Sequence, residues 1–317
     1  MSVEHGPGHL ADIPVNRIRP NPENPRLTFR QGELEELQES IRQYGIQVPI
    51  AVFKRGSDYI LIDGERRWRC ASKLNLKTIP ALVQREPKPL ENLLLMFNIH
   101  ALREQWDLLT IALKLPTVVS LLKRELKRTP NESELAGKTG LSRGVIRRCR
   151  LLMELPKEYQ DQLLEELKKP KSKQTLSEDL FIEIEKSLKT LIRAMPDLVT
   201  DKNIARRALL DKYRTKVIDN IVDFRKVAKI ARSTTVGVDA GVAKTALERI
   251  LTEAKYTITQ AWNDTVSEAY AERDIVSRID HLLEKLNDLK QGEVDDDVRD
   301  KLEQLVERAK ALLETEQ

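Results

Sequence analysis

The stretch Ile62–Ser72, IDGERRWRCAS, decides how the first third of the chain is read. A β-leaning run ends at Asp63 and Gly64, and a helix-forming run opens with Glu65 and carries Arg66, Arg67 and Arg69. A strand that turns directly into a helix leaves unpaired N–H donors, and the positive end of the helix dipole, at the turn. Gly64 lets the backbone approach a ligand closely, and forked guanidinium donors match phosphate oxygens. The string therefore predicts an anion site. The bland alternative is a solvated basic helix start whose arginines pair with nearby glutamates.

Working outward, Ile13–Ile18, Pro49–Phe53, Tyr59–Ile62 and Ile79–Val83 are short β-leaning runs separated by turn residues. Glu33–Tyr44 places Leu34, Leu37 and Ile41 at helical spacing and stops at Gly45, while the helix opened by Glu65 ends near Asn75. Beyond Pro89 the β signal fades. The remainder reads as helical, broken by Pro116, Pro130, Pro156, Pro170 and Pro196 and by the polar stretch Ser233–Gly241. The run Pro170–Thr175, PKSKQT, reads as a link into a C-terminal domain. There Ala271–Leu289 and Asp296–Leu313 form two helical stripes joined by QGEVDD, an antiparallel hairpin that must bury its apolar side against its own domain or a second chain.

A second string, Asn131–Pro156 (NESELAGKTGLSRGVIRRCRLLMELP), reads as a helix-turn-helix. Glu134–Lys138 is a short helix with the small residue Ala136 where two helices cross, Gly140 accepts a positive φ in the turn, and Ser142 caps a second helix with Val145 and Ile146 facing inward. Ser142, Arg143, Arg147, Arg148 and Arg150 would lie on the exposed side, the first two near base edges and the rest within reach of bases or phosphates. An ordinary helical hairpin with a basic face is the competing reading.

The order IPVNRIRPNPENPR, ELEELQESIRQYGIQVPIAV, YILIDGERRWRCASKLNLKTIPALV resembles the N-terminal domain of the ParB/RepB partition-protein family over Ile13–Val83, and the LL.LP run at Leu151, Leu152, Leu155 and Pro156 extends the likeness. The resemblance implies an α+β, ParB/sulfiredoxin-like domain at 1–89 followed by an all-α helix-turn-helix domain at 90–170; beyond Pro170 no family motif is found, and the link and apolar stripes alone give a helical C-terminal domain at 171–317 with dimerisation as its expected role. The resemblance also implies a CTP cradle at Gly64, Glu65, Arg66, Arg67 and Arg69, closed by the turn with Asn24, Pro25 and Arg26 and floored near Gln47 and Pro49. The family's third box carries a Glu and an Asn that help hold metal and phosphates, and an alignment on Arg103 and Glu104 finds Ile99, His100, Ala101 and Leu102 instead. Asn98 and Arg103 are what remains there for the nucleotide. With the carboxylate missing, Mg2+ is not expected to matter for nucleotide binding, and hydrolysis is expected to be slow or absent.

Composition bounds the rest. At 317 residues, 33% of them charged, with 14 aromatics and 12 glycines, the chain suits helices packed on aliphatic seams. The greasiest run, Leu90–Leu102, is interrupted by Glu91, Asn92, Asn98 and His100, so no membrane span is expected. With no leader pattern, the cytoplasm, at a nucleoid or plasmid, is the expected place. Cys70, Cys149 and four scattered His residues offer neither a disulfide framework nor a metal spacing. Net charge is only +4, yet residues 121–150 hold nine Lys or Arg against three Glu, while residues 291–317 hold nine acidic against four basic residues. The basic run Asn203–Lys229 is a further phosphate-contact candidate or a solvated face.

Three readings follow: a dimeric partition protein that binds double-stranded DNA, senses CTP and meets a partition ATPase; a transcriptional regulator or accessory factor without nucleotide chemistry; and an enzyme, a CTPase or nuclease.

Overall fold

The computed structural model describes residues 8–24, 26, 28–101, 107–289 and 294–314, excepting the side chains of 99–101. The chain forms two compact units, Met1–Lys186 and Ser187–Gln317.

The first unit opens with a five-stranded mixed sheet: β1 (His9–Pro14), β2 (Ile18–Arg19), β3 (Ile50–Arg55), β4 (Asp58–Asp63) and β5 (Thr78–Gln84), in the order β1-β5-β3-β4-β2. β3 and β4 form an antiparallel hairpin through Gly56, whose φ of 61° needs glycine's freedom. In β5, Ile79, Ala81 and Val83 are buried at every second position, the period of a strand with one face on a core. They meet Ile13, Ile18, Ile50, Val52 and Leu61.

The expected single strand Ile13–Ile18 is two strands at opposite edges of this sheet. Pro14 cannot extend a ladder as a donor, and Val15–Arg17 turn as a 3-10 helix anchored by the Val15 N–H on the Lys77 carbonyl (3.1 Å). Helices α1 (Gln31–Tyr44) and α2 (Glu65–Lys73) cover the sheet and meet through Leu34, Ile41 and Cys70. As expected, α1 ends at Gly45, with φ of 71°.

Five helices follow: α3 (Pro89–Ala101), α4 (Leu108–Leu126), α5 (Glu132–Thr139), α6 (Arg143–Met153) and α7 (Lys157–Lys168). Pro116 does not break the pattern, because it lies on the exposed side of α4 while Leu115, Val118 and Leu122 are buried. Packing of that face outweighs the roughly 3 kcal/mol that a helix-interior proline costs. The run Pro170–Thr175 is tied back to α7, since the buried Glu166 carboxylate accepts the Thr175 N–H at 2.9 Å. α8 (Glu178–Ala194) then begins in the first unit and ends in the second.

The second unit holds α9 (Lys202–Arg214), α10 (Phe224–Ile230), α11 (Ala240–Thr252), α12 (Ile258–Asn263), α13 (Ser267–Asn287) and α14 (Asp296–Leu313). Its core includes Leu209, Phe224, Val227, Leu247, Ile250 and Ile258. No residue of α13 or α14 is buried; Ile275, Ile279, Leu283, Leu305 and Val306 of the apolar stripes are exposed. Among the described residues no helix is long and apolar enough to cross a membrane.

Candidate anion pocket and nucleic-acid interface

At the end of β4 the chain turns through Gly64 with φ of 93°, and the Trp68 N–H closes the first turn of α2 on the Gly64 carbonyl at 3.0 Å. A Cβ at Gly64 would stand 2.6 Å from Ile50 Cγ2, so both the left-handed backbone and the close packing on β3 require glycine. The turn borders a cavity of about 320 Å3 lined by Asn24, Arg26, Phe29, Val48, Asp63, Glu65 and Arg66 among others.

The three arginines of the box go to different partners. Arg67 ties the turn to β3: one Nη donates to the Val48 and Pro49 carbonyls (2.5 and 2.8 Å) and the other to Asp63 at 3.0 Å, four residues back on the helical spacing. Arg69 donates from Nε and Nη2 to Glu65 (2.9 and 2.6 Å) and stacks over the Phe29 ring at 4.0 Å. Glu65 is 9% exposed and accepts the Asn24 amide on its other oxygen at 2.6 Å. It is a clamp between loop and helix.

Arg66 is placed otherwise: it donates to the Glu33 carbonyl at 3.0 Å, lies 3.7 Å from the Glu33 carboxylate, and has a buried Nε without a hydrogen-bond partner. Arg26, its side chain 11% exposed, shares Glu33 at 3.5 Å. Burial first, and then the Arg66 charge, push the Arg26 guanidinium down from its ordinary value. A guanidinium stays protonated in proteins, so Arg26 is held charged in a buried place beside a second cation, at an electrostatic cost that Glu33 and Asp107 offset in part. Glu33 is also paired by Arg30 at 3.2 Å, so the two cavity cations share a carboxylate already engaged by a third, beside a helix N-terminus, an excess of positive charge that an anion would relieve.

The loop that closes the cavity is shaped by Asn24, whose side-chain oxygen accepts the Arg26 N–H at 2.9 Å. Pro25 lies outside the described residues. Further along the loop, Thr28 and Arg30 both donate to Asp107, the residue before α4, at 2.7 and 2.8 Å. Neither contact was read from sequence, although Arg30 and Glu33 stand at helical i,i+3 spacing.

Asn98 is not among the residues lining the cavity. The structure sets it against the helix-turn-helix, where its amide lies 3.5 Å from the Lys138 carbonyl and its oxygen abuts Gly140. Arg103 lies outside the described residues.

The helix-turn-helix has both ends built locally. Asn131 and Glu134 form a reciprocal capping box at the start of α5, Gly140 turns with φ of 73°, and the Ser142 hydroxyl accepts the Val145 N–H at 3.2 Å to cap α6. Ser142 is thus committed as an acceptor, with its O–H left to donate. Ile146, Cys149 and Leu152 are buried, as is Leu135 of α5, whereas Val145 and Ala136 are half-buried. Arg143, Arg147 and Arg150 are exposed and turn to one carboxylate, Glu132, at 3.1, 2.9 and 3.6 Å. Arg148, about 100° further round the helix than Arg147, pairs instead with Asp179 at the start of α8. Glu132 was not singled out from the sequence.

Residues 2–96 match the family described as ParB N-terminal domain. The chain carries the N-terminal domain of the ParB family. It is 33% identical over 160 residues to the chromosome-partitioning protein ParB of Caulobacter vibrioides, covering 50% of each chain. It is 32% identical over 164 residues to the nucleoid occlusion protein of Listeria innocua, covering 51% of this chain and 55% of that one. The chain thus spans about half the length of the curated relatives it matches. A solved structure of C-terminally truncated ParB from Caulobacter crescentus, complexed with CTP-gamma-S, shares 32% identity over 49% of this chain and 83% of that one, with a TM-score of 0.29.

Within the ParB domain Cys70 is fully buried with its thiol on the Leu34 carbonyl, and burial raises its pKa, as befits a packing residue. Burial first, then the Glu178 charge, push the Cys149 thiol up to about 12. Beyond the ParB domain, the basic run Asn203–Lys229 loses two members to the interior: Arg206 is 1% exposed, and Lys212 is buried with its ammonium on the Glu253, Ala254 and Tyr256 carbonyls. Those two cations are not on the face that phosphates would meet.

Proposed function

We propose that this chain is a DNA-binding partition protein whose helix-turn-helix reads double-stranded DNA and whose ParB-domain cavity holds the phosphates of a nucleotide, CTP. The observation that carries the DNA reading is α6 itself: a capped helix, seated by Ile146, Cys149 and Leu152, that presents Arg143, Arg147 and Arg150 on one exposed face. The relatives named as chromosome-partitioning and nucleoid occlusion proteins support it. The nucleotide reading rests on Arg26 and Arg66, the two cavity cations that share one carboxylate. In this reading residues 1–89 bind the nucleotide, residues 90–170 bind DNA, and residues 171–317 pair two copies through the exposed stripes of α13 and α14. Dimers would set two recognition helices on a two-fold site at a nucleoid or plasmid, where a partition ATPase is the further partner.

Among the described residues, those that line the cavity do not suit a metal held by the protein. The two carboxylates among them are engaged, Asp63 by Arg67 and Glu65 by Arg69 and Asn24, and among the described residues no group of three His, Cys, Asp or Glu side chains could hold an ion. No chemical step is assigned to one.

Calorimetry with CTP, with and without Mg2+, tests the pocket. Arg66→Ala should abolish binding, Arg66→Lys should restore it in part because an ammonium lacks the planar fork, and the unmodified chain should bind about equally with and without Mg2+. Robust Mg2+-dependent turnover would favour the enzyme reading. Absence of any nucleotide binding would favour a regulator whose arginine box meets DNA phosphate or protein. Light scattering on a chain ending before Ala271 tests pairing: an unchanged mass would remove the C-terminal helices from that role.

A further inference from the structure

The arginines of α6 meet a carboxylate of their own chain before they meet anything else. Glu132, the first residue of α5, has a side chain only 19% exposed, while those of Arg143 and Arg147 are each 61% exposed. The three arginines sit at i, i+4 and i+7 of α6, one helical face, and all reach the same carboxylate. Helix α5 does not need Glu132 for its own start, because Asn131 and Glu134 already satisfy that end reciprocally. Although desolvation raises it, the Glu132 pKa is held below the ordinary carboxylate range by the Arg143 hydrogen bond and the Arg147 and Arg150 charges, so Glu132 is anionic at neutral pH.

We propose that Glu132 is a positioning and specificity residue of the DNA face, holding Arg143, Arg147 and Arg150 together while offsetting one positive charge that would otherwise bind DNA of any sequence. This rests on the DNA-binding reading above. Affinity for arbitrary duplex comes from phosphates neutralised and counterions released, so a fixed carboxylate among the arginines weakens binding to every sequence alike. Base readout depends on geometry, and guanidiniums already gathered on Glu132 have less side-chain freedom left to lose when they dock on base edges. The two effects together widen the gap between the preferred site and the rest.

The test uses the full chain and two duplexes: one of random sequence, and one that the unmodified protein selects from a randomised pool. Binding is titrated by anisotropy between ~50 and ~200 mM salt. Glu132→Gln should bind the random duplex more tightly, with a logarithmic salt slope steeper by about 0.9, which is about a three- to fourfold larger loss over that range. It should gain nothing on the selected duplex, so the specificity ratio falls. Glu132→Asp, which keeps the charge, should restore the parental slope. If Glu132→Gln instead weakened both duplexes in proportion with the slope unchanged, Glu132 would be a structural residue only and the proposal would fail. Equal affinities and slopes for parent and variant would also overturn it while leaving the DNA reading intact. If the unmodified chain bound neither a random nor any pooled duplex, the DNA reading itself would fall and this inference with it.

Discussion

The first unit holds two clusters of arginine that its helices sort in opposite ways. In α2, Arg66, Arg67 and Arg69 are packed into four residues yet diverge to three destinations: Arg67 borders the cavity but is tied to Val48, Pro49 and Asp63, Arg69 is tied to Glu65, and Arg66 lies in the cavity beside Arg26 from a loop. In α6, Arg143, Arg147 and Arg150 are spread over eight residues and converge on one carboxylate. Density of charge along the chain is therefore a poor measure of charge available to a ligand. At about 100° per residue, adjacent positions on a helix face apart, and positions three, four or seven apart face together. The carboxylates follow the same rule: Asp63 stands four residues before Arg67 and Glu65 four before Arg69, which leaves Arg66 as the one box arginine without an acid at that spacing.

The comparison is most severely tested at the turn that launches α2. Gly64→Ala should destabilise the chain by about 2 to 5 kcal/mol, from a left-handed backbone cost of about 1 to 2 and overpacking against Ile50 of about 1 to 3. Denaturant unfolding would measure it, and a loss under about 1 kcal/mol would mean that the turn relaxes freely.

Next in size is the division of labour within the box. Arg67→Ala removes the tie between α2, β3 and Asp63 and should cost about 1 to 3 kcal/mol of stability, whereas Arg66→Ala should cost under about 1 kcal/mol while removing nucleotide binding. Equal stability losses for the two variants would erase the distinction between a tying and a ligand-facing arginine.

On the α6 side, Arg147→Ala should weaken binding to a selected duplex by about 1 to 3 kcal/mol and Arg148→Ala by less, because Arg148 lies off the face that Arg143, Arg147 and Arg150 share and turns to Asp179. A gel-shift series at ~150 mM salt distinguishes them. The reverse order would place the reading face of α6 elsewhere.

The smallest effect is a pH dependence. The Arg128 hydrogen bond and the Asn131 N–H lower Glu134 from 4.5 to about 2. A carboxyl with a depressed folded-state pKa contributes stability that is full above its unfolded value and is lost as pH falls through the folded one. The melting-temperature advantage of the parent over Glu134→Gln should therefore shrink between about pH 4.5 and about pH 2. A gap constant over that window would show that the capping box does not hold the charge.

Much of this is legible in the sequence. The runs at Ile50–Arg55, Asp58–Asp63 and Thr78–Gln84, the helices at Gln31–Tyr44 and Glu65–Lys73, and the helix-turn-helix all lie where composition and period put them. Each rests on neighbours a few residues apart. The split of Ile13–Ile18 across two sheet edges was less legible, because a strand pattern carries no record of which partner each half will find. Pro116 within α4 was missed for a related reason, since a local breaker is outweighed by the buried face beneath it.

What the sequence determined by itself is whatever short-range chemistry controls: a glycine required by a left-handed turn at Gly64, caps at Asn131 and Ser142, and the alternation that buries Ile79, Ala81 and Val83. What only the tertiary structure decided is the assignment of charges. Arg66 meets Glu33 from α1, Arg30 meets Asp107, Asn98 leaves the pocket for Gly140, and Glu132 gathers three arginines across a turn. Each such pairing joins residues from different elements. A hydrogen bond needs donor and acceptor within about 3 Å and a close ion pair within about 4 Å, so which cations are taken up by which acids depends on distances that exist only once those elements are packed.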